Sequence, residues 1–256
     1  MRLGFDLDGT LADMHEALAR VAKDLFPDVD PATLPQSAAS EGDPTSAPPG
    51  DSPPPAGPAI RTARQQRLLW KEACSRENFW ETLDEIEPGA LGRLFRLVGD
   101  RRWEIIFLTS RPETEGDTAQ AQSHRWLAAH GFPSPSIFVV HGSRGKIADA
   151  LDLDVIVDDR PENCLDVATD SKARAILVWR GDESQVPAGA RQLGIGIVQS
   201  IAECLDILES LERPDQRDRL GVVERLKRLL GLKPHPARQR VPVPSASAND
   251  AVKVKT

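Results

Sequence analysis

Two aspartates, Asp6 and Asp8, stand in the run Phe5-Asp6-Leu7-Asp8-Gly9-Thr10 near the start of the chain. Leu3 and Phe5 lead into this run and a helical pattern follows from Leu11, so the pair sits where a short buried strand gives way to a loop. Alternation sends both carboxylates the same way if the strand continues to Asp8, and Gly9 lets the chain turn tightly. Acids this close repel one another unless a cation or a shared proton relieves them. A hard, oxygen-preferring ion such as Mg²⁺ is the natural partner. On these residues alone, a solvated Asp-Gly turn is the competing reading.

Three further strand patterns run straight into polar sets. Trp103 to Leu108 is followed by Thr109-Ser110-Arg111-Pro112, Ile137 to Val140 by Arg144 and Lys146, and Val155 to Val157 by Asp158-Asp159-Arg160-Pro161. Such endings gathered at one sheet edge outweigh the reading as solvated turns, and their chemistry is coherent. A carboxylate can attack phosphorus once the phosphate charge is masked. Mg²⁺ between Asp6 and the Asp158-Asp159 pair would mask it and orient the attack. Lys146 and the Thr109 hydroxyl would hold the non-bridging oxygens. Asp8 is placed to protonate the leaving oxygen and later activate water. Ser110 adds a second hydroxyl or caps its own turn. Arg111 and Arg160 either grip phosphate or anchor their loops to acidic neighbours. His124, His130 and His141 have no metal-type spacing and read as surface or helix-end residues.

The elements that must position these groups follow from periodicity. Helices are predicted over 11–26 and 61–74, and a third, opened by Glu87-Pro88-Gly89-Ala90, runs to about 98 and is ended by Gly99. Strands at 103–108, 137–140, 155–157 and 175–178 then alternate with helices at 118–130, 143–151 and 162–168. A short edge strand at 195–198 precedes a helix at 201–211. Continuous apolar strands alternating with helices predict an α/β fold, a parallel sheet with helices on both faces. Ligands in such folds bind outside the carboxyl ends of the strands. Residues 31–58, rich in Pro, Ser, Ala, Gly and Asp, read as a flexible insertion.

The net charge of −7 is unevenly spread: residues 214–256 carry +6, which leaves −13 on the rest. A body this acidic is a poor platform for a nucleic acid polymer, whose binding rests on neutralising phosphates, but it permits a small phosphorylated substrate in a locally basic pocket. No apolar run is long enough to span a bilayer, and no signal peptide precedes the first strand. Cys74, Cys164 and Cys204 read as buried thiols of a reducing, cytoplasmic compartment. Leu220, Val223, Leu226 and Leu230 line one side of a basic helix predicted over 214–231, and a disordered tail is expected over 232–256. That helix has three possible homes: the acidic body, a second copy of the chain, or an anionic membrane surface. Self-association through it is the partner expectation.

The whole constellation resembles the haloacid dehalogenase (HAD) superfamily of phosphatases over residues 1–211, apart from the Pro-rich insertion. The resemblance implies a Rossmannoid core, here 1–10 with 98–213, and a small helical cap inserted after the first strand, here 11–97. It implies that Asp6 is a nucleophile forming an aspartyl phosphate. Asp8 would be the acid/base and would lend its backbone carbonyl to Mg²⁺. Thr109 would bind phosphate, Lys146 would neutralise it, and Asp158 and Asp159 would be the acidic metal pair. A narrower resemblance is to the 5′(3′)-deoxyribonucleotidases. It is carried by Asp6 through Asp13, Phe26-Pro27-Asp28, Asn78-Phe79-Trp80, Pro88-Gly89-Ala90, Thr109-Ser110 and Asp158 through Pro161. It implies a nucleoside monophosphate or similar small ester as substrate, with Phe79 and Trp80 near the pocket mouth; plain cap core is the other reading of those aromatics. A polynucleotide-end phosphatase and a non-catalytic phosphate-binding scaffold are the competing functions.

Overall fold

The computed structural model describes residues 1–27 and 63–210. The Pro-rich stretch and the basic C-terminal helix and tail lie outside the described residues. In chain order the elements are β1 (Arg2–Asp6), α1 (Met14–Leu25), α2 (Ala63–Cys74), a 3₁₀ turn (Phe79–Glu81), α3 (Ala90–Arg101), β2 (Glu104–Thr109), α4 (Ala119–Ala129) and β3 (Ser136–Val139). They continue with α5 (Arg144–Ala150), β4 (Val155–Asp158), α6 (Pro161–Asp170), β5 (Arg174–Val178), a second 3₁₀ turn (Glu183–Gln185), α7 (Ala188–Gln192), β6 (Gly196–Val198) and α8 (Ile201–Ser210). The six strands form one sheet in the order β3-β2-β1-β4-β5-β6, parallel at every pairing. With a helical insertion after β1, this is the HAD-like Rossmannoid architecture.

Alternation along the strands sorts the core into two layers. Leu3, Phe5, Phe107, Val157, Ile176 and Val178 join one apolar cluster with Leu91 and Leu94 of α3, Trp126 of α4 and Leu205 of α8. Leu108, Ile156, Ala175 and Leu177 join the other, with Ala148 of α5, Val167 of α6 and Ala190 of α7. A sheet apolar on both faces is buried on both, as a parallel sheet requires. β1 lies at its centre between β2 and β4, so the chain order reverses there. Folds of this topology bind ligands outside the strand ends at such a switch point, which here is where β1 ends on Asp6.

Several boundaries depart from the periodicity for local reasons. α1 begins at Met14 because Asp13 caps it, its Oδ1 accepting the Glu16 N–H at 2.8 Å. Such a cap stabilises a helix by about 1 kcal/mol. α3 runs through Gly99 to Arg101 and ends on Arg102, whose φ of 52° provides the left-handed cap. The short α7 carries too few apolar residues to leave a periodic signal. Cys164 and Cys204 are buried free thiols, whereas Cys74 is only partly covered; burial pushes the Cys204 thiol up to about 12. Among the described residues no helix is long and apolar enough to cross a membrane.

Candidate active site

The turn after β1 is built by its own backbone. Leu11 and Ala12 donate N–H groups to the Leu7 carbonyl at 2.8 and 2.7 Å, and Gly9 donates to the Ala12 carbonyl at 3.0 Å. Gly9 has a φ of 87° and carries the Asp159 carboxylate over its Cα, where a Cβ would collide with it. Only glycine meets both conditions. The buried Thr10 donates its hydroxyl to Asp159 Oδ1 at 3.2 Å, and Arg180 reaches from the end of β5 to the Gly9 and Thr10 carbonyls at 2.6 and 3.0 Å. The first loop is thereby clamped to the ends of β4 and β5.

Asp6 is buried, with 6% of its surface exposed. Its Oδ1 accepts from Arg144 Nη2 at 2.8 Å. Arg144 is the first residue of α5, capped by Ser143, and its guanidinium also lies 3.3 Å from the Ser110 hydroxyl and 3.8 Å from Asp158 Oδ2. The other guanidinium nitrogen, Nη1, is buried without a hydrogen-bond partner among the described residues. Asp158 ends β4 fully buried, and its carboxylate accepts from the Arg160 N–H at 2.8 Å and from Asn163 Nδ2 at 3.1 and 2.9 Å.

These carboxylates are short of positive charge. Burial, then the charges of Asp158 and Asp8, push Asp6 well above the ordinary carboxylate range against the pull of Arg144. Burial and the neighbouring Asp159 charge push Asp158 up to about 7, opposed by Arg144 and the Arg160 and Asn163 donors. Burial and the charge of Asp6 push Asp159 up to about 7 as well, opposed by Thr10 and Arg180.

Asp8 has a different setting. Thr109 Oγ1, at the end of β2, donates to its Oδ2 at 2.9 Å. Arg111 donates to both of its oxygens, Nη2 to Oδ1 at 2.7 Å and Nε to Oδ1 and Oδ2 at 2.9 and 3.0 Å. The Arg111 side chain has no exposed surface. Its Nη1 donates to Ser123 Oγ at 2.9 Å, and its Cζ lies 4.9 Å from the centre of the Trp80 ring and 5.7 Å from that of Trp126.

The structure thus brings Asp6, Asp8, Thr109, Ser110, Asp158 and Asp159 to one edge of the sheet, but it assigns the cations differently from the sequence reading. The cation on Asp6 is Arg144; Lys146 is exposed, its backbone N–H spent on the Ser143 cap at 3.1 Å. The helix start turns position 144 inward and position 146 outward, which residue type alone does not reveal. Arg111 holds Asp8 and presents no surface to a phosphate. Phe79 and Trp80 are 2% and 1% exposed, packed edge to face at 5.1 Å. The Trp80 backbone N–H donates to Gln122 Oε1 and its indole N–H to the Pro112 carbonyl, both at 3.0 Å. Trp80 is core. Phe79 borders a 540 Å³ surface cavity with Ala17 and Arg20, away from the carboxylates. A larger cavity of 660 Å³, between Arg2, Phe95, Trp103 and Phe132, is likewise lined by no residue of the carboxylate cluster. Asn163, Ser123 and Trp126 are partners that the sequence reading did not name, and Arg144 is one that it named beside Lys146 without giving it a role.

The donor set suits a hard divalent cation: it consists of carboxylate oxygens, and burial leaves three of those carboxylates with too little positive charge. Among the described residues no three His, Cys, Asp or Glu side chains are already drawn together as a metal cluster.

No family model and no curated protein matches the chain. Solved structures do resemble it. One is a HAD family hydrolase from Deinococcus radiodurans R1 with bound phosphate and sodium, 15% identical with a TM-score of 0.49 over 81% of this chain and 94% of that one. A hydrolase from Pseudomonas syringae is 14% identical with a TM-score of 0.49, over 83% and 100%. CbbY from Rhodobacter sphaeroides in complex with phosphate is 17% identical with a TM-score of 0.42, over 79% and 95%. The strand order and the helical insertion after β1 give the chain a HAD-like fold, and its acidic cluster lies at the carboxyl edge of that sheet.

Proposed function

We propose that this protein is a Mg²⁺-dependent phosphomonoesterase that works through an aspartyl phosphate on Asp6. The observation that carries the reading is the Asp6–Arg144 pair: a buried carboxylate beside a buried guanidinium, one nitrogen of which has no partner among the described residues. A buried donor without an acceptor is costly, and a phosphoryl oxygen arriving next to Asp6 would satisfy it. Asp6 attacks phosphorus, and the bond from phosphorus to the leaving oxygen breaks. Asp8 gives that oxygen a proton, then takes one from the water that cleaves the aspartyl phosphate. Arg144 and the Ser110 hydroxyl hold the non-bridging oxygens, and Thr109 orients Asp8.

Asp6, Asp159 and the Asp8 backbone carbonyl would hold Mg²⁺, with Asp158 behind them. The Asp158 oxygens are already engaged by Asn163 and the Arg160 N–H, which favours Asp159 as the direct ligand. When bound, the cation neutralises phosphate charge and aligns the attack.

The substrate proposed is a small phosphate monoester, and a nucleoside monophosphate is the first to test, on the resemblance to the deoxyribonucleotidases. Phe79 and Trp80, being covered, do not supply a stacking surface for a base. The experiment is phosphate release from a panel of nucleotides, sugar phosphates and 3′-phosphorylated oligonucleotides. Activity is expected with Mg²⁺ and lost in EDTA, and Asp6→Asn is expected to lower kcat by several orders of magnitude. Wild-type-like turnover by Asp6→Asn, or full activity in EDTA, overturns the reading.

A further inference from the structure

Arg111 is a charged residue among the largest fully buried side chains of the described residues, and it presents no surface to a ligand. Its fork closes on Asp8, its far nitrogen is tied to Ser123 of α4, and its plane lies among Trp80 and Trp126. Both tryptophans are pinned in turn, Trp80 to the Pro112 carbonyl and Trp126 to the Leu83 carbonyl at 2.7 Å. Ser123 itself is anchored on the Ala119 carbonyl at 2.7 Å. A guanidinium held on every side has almost no rotamer freedom, so the carboxylate it grips with two nitrogens has almost none either. Burying such a cation costs more than a folded core gains from it, and a methionine of similar length would fill the space.

We propose that Arg111 is a positioning residue. It fixes the Asp8 carboxylate for proton transfer to the leaving oxygen, and its tryptophan cage makes that position depend on the inserted segment Phe79–Glu81. This rests on the phosphomonoesterase reading. In the step concerned, the Asp6–phosphorus bond forms as the phosphorus–oxygen bond to the leaving group breaks, and the proton on Asp8 passes to that oxygen. An alkyl leaving group needs the proton; an aryl group such as p-nitrophenolate leaves without it. Misplacing Asp8 therefore penalises alkyl esters selectively in kcat/KM, which reports on events up to leaving-group departure. A generally loosened site penalises both alike.

The test is kcat/KM of full-length wild type and Arg111→Lys on an alkyl phosphate and on p-nitrophenyl phosphate, with inhibition by inorganic phosphate as the binding control. Lysine keeps the charge and loses the fork. The alkyl ester is expected to lose roughly 100-fold, within the usual contribution of general acid catalysis, while the aryl ester and the inhibition constant change little. Equal losses on the two esters, or no loss on either, overturn the proposal. Should Arg111→Lys not fold, Ser123→Ala removes one tie to the guanidinium and is expected to give the same selectivity at smaller size; an unselective Ser123→Ala overturns it equally. Wild type inactive on both esters overturns the phosphatase reading and this inference with it, whereas an active wild type with unselective variants overturns this inference alone.

Discussion

Replacing Arg144 with alanine removes the one guanidinium among the described residues that touches Asp6 and approaches Asp158. Its side chain is 4% exposed, against 8% for Asp6 and 1% for Asp158, so the three groups share almost no water. Taking away one partner of a buried pair costs about 3–5 kcal/mol, because the remaining charge is left without compensation. That is a large share of the roughly 5–15 kcal/mol that holds a domain folded. The loss is expected to depend on pH. Burial already pushes Asp6 well above its ordinary range, so the penalty is expected to be smaller at pH 5.5 than at pH 8, because proton uptake by Asp6 relieves part of it. Catalysis is expected to fall by about 10²–10³, the usual cost of one preorganised donor to a developing charge. Lys146→Ala is the matched control. Lys146 is exposed, so its removal is expected to change stability by no more than about 0.5 kcal/mol and to leave most of the rate. Urea melts at the two pH values and initial rates of phosphate release measure all of this. A Lys146→Ala variant that loses the rate while Arg144→Ala keeps it would show that the phosphate is held from α5 by the other residue.

Gly145→Ala should act through packing alone: a Cβ there would overlap the Asp166 carbonyl oxygen and lie 2.7 Å from Asp170 Cβ, forcing α5 off α6. A loss of about 1–3 kcal/mol is expected together with a lower rate, because Arg144 is the adjacent residue; an unchanged melting temperature would sink the packing argument. In the metal-free protein, burial pushes Asp158 and Asp159 up to about 7, against an ordinary carboxylate value of 3.8. The folded state therefore keeps protons that the unfolded chain releases. The stability this confers is complete at low pH and is lost as pH rises through about 7. Thermal melts in EDTA should consequently fall between pH 5.5 and pH 8, and Mg²⁺ should raise the melting temperature more at pH 8. A melting temperature that climbs over this range in EDTA would contradict the assignment.

Much of this was readable in the chain itself. Strands with apolar residues at every position can be buried only on both faces, so Ile105 to Leu108 and Val155 to Val157 required a covered parallel sheet. Parallel strands all end at one edge, so the polar residues just past each strand had to meet there. Asp6, Asp8, Thr109 and Asp158 were therefore legible as a cluster from the sequence alone. Which cation serves which carboxylate was not legible. Lys146 and Arg144 lie two positions apart on α5, and the Ser143 cap, by setting where that helix starts, decides which of them turns toward Asp6. Arg111 follows Thr109 so closely that it reads as a phosphate ligand. Only the tertiary packing of Trp80 and Trp126, brought in from separate segments, turns it inward onto Asp8. The aromatic pair Phe79-Trp80 likewise looks like a pocket mouth in sequence, because an aromatic residue serves a core and a binding face equally well. Its burial is decided by α4, whose Gln122 takes the Trp80 N–H. Local periodicity sets which side of an element is apolar; which polar neighbour a charged side chain meets depends on rotations of single residues that only the packed structure determines.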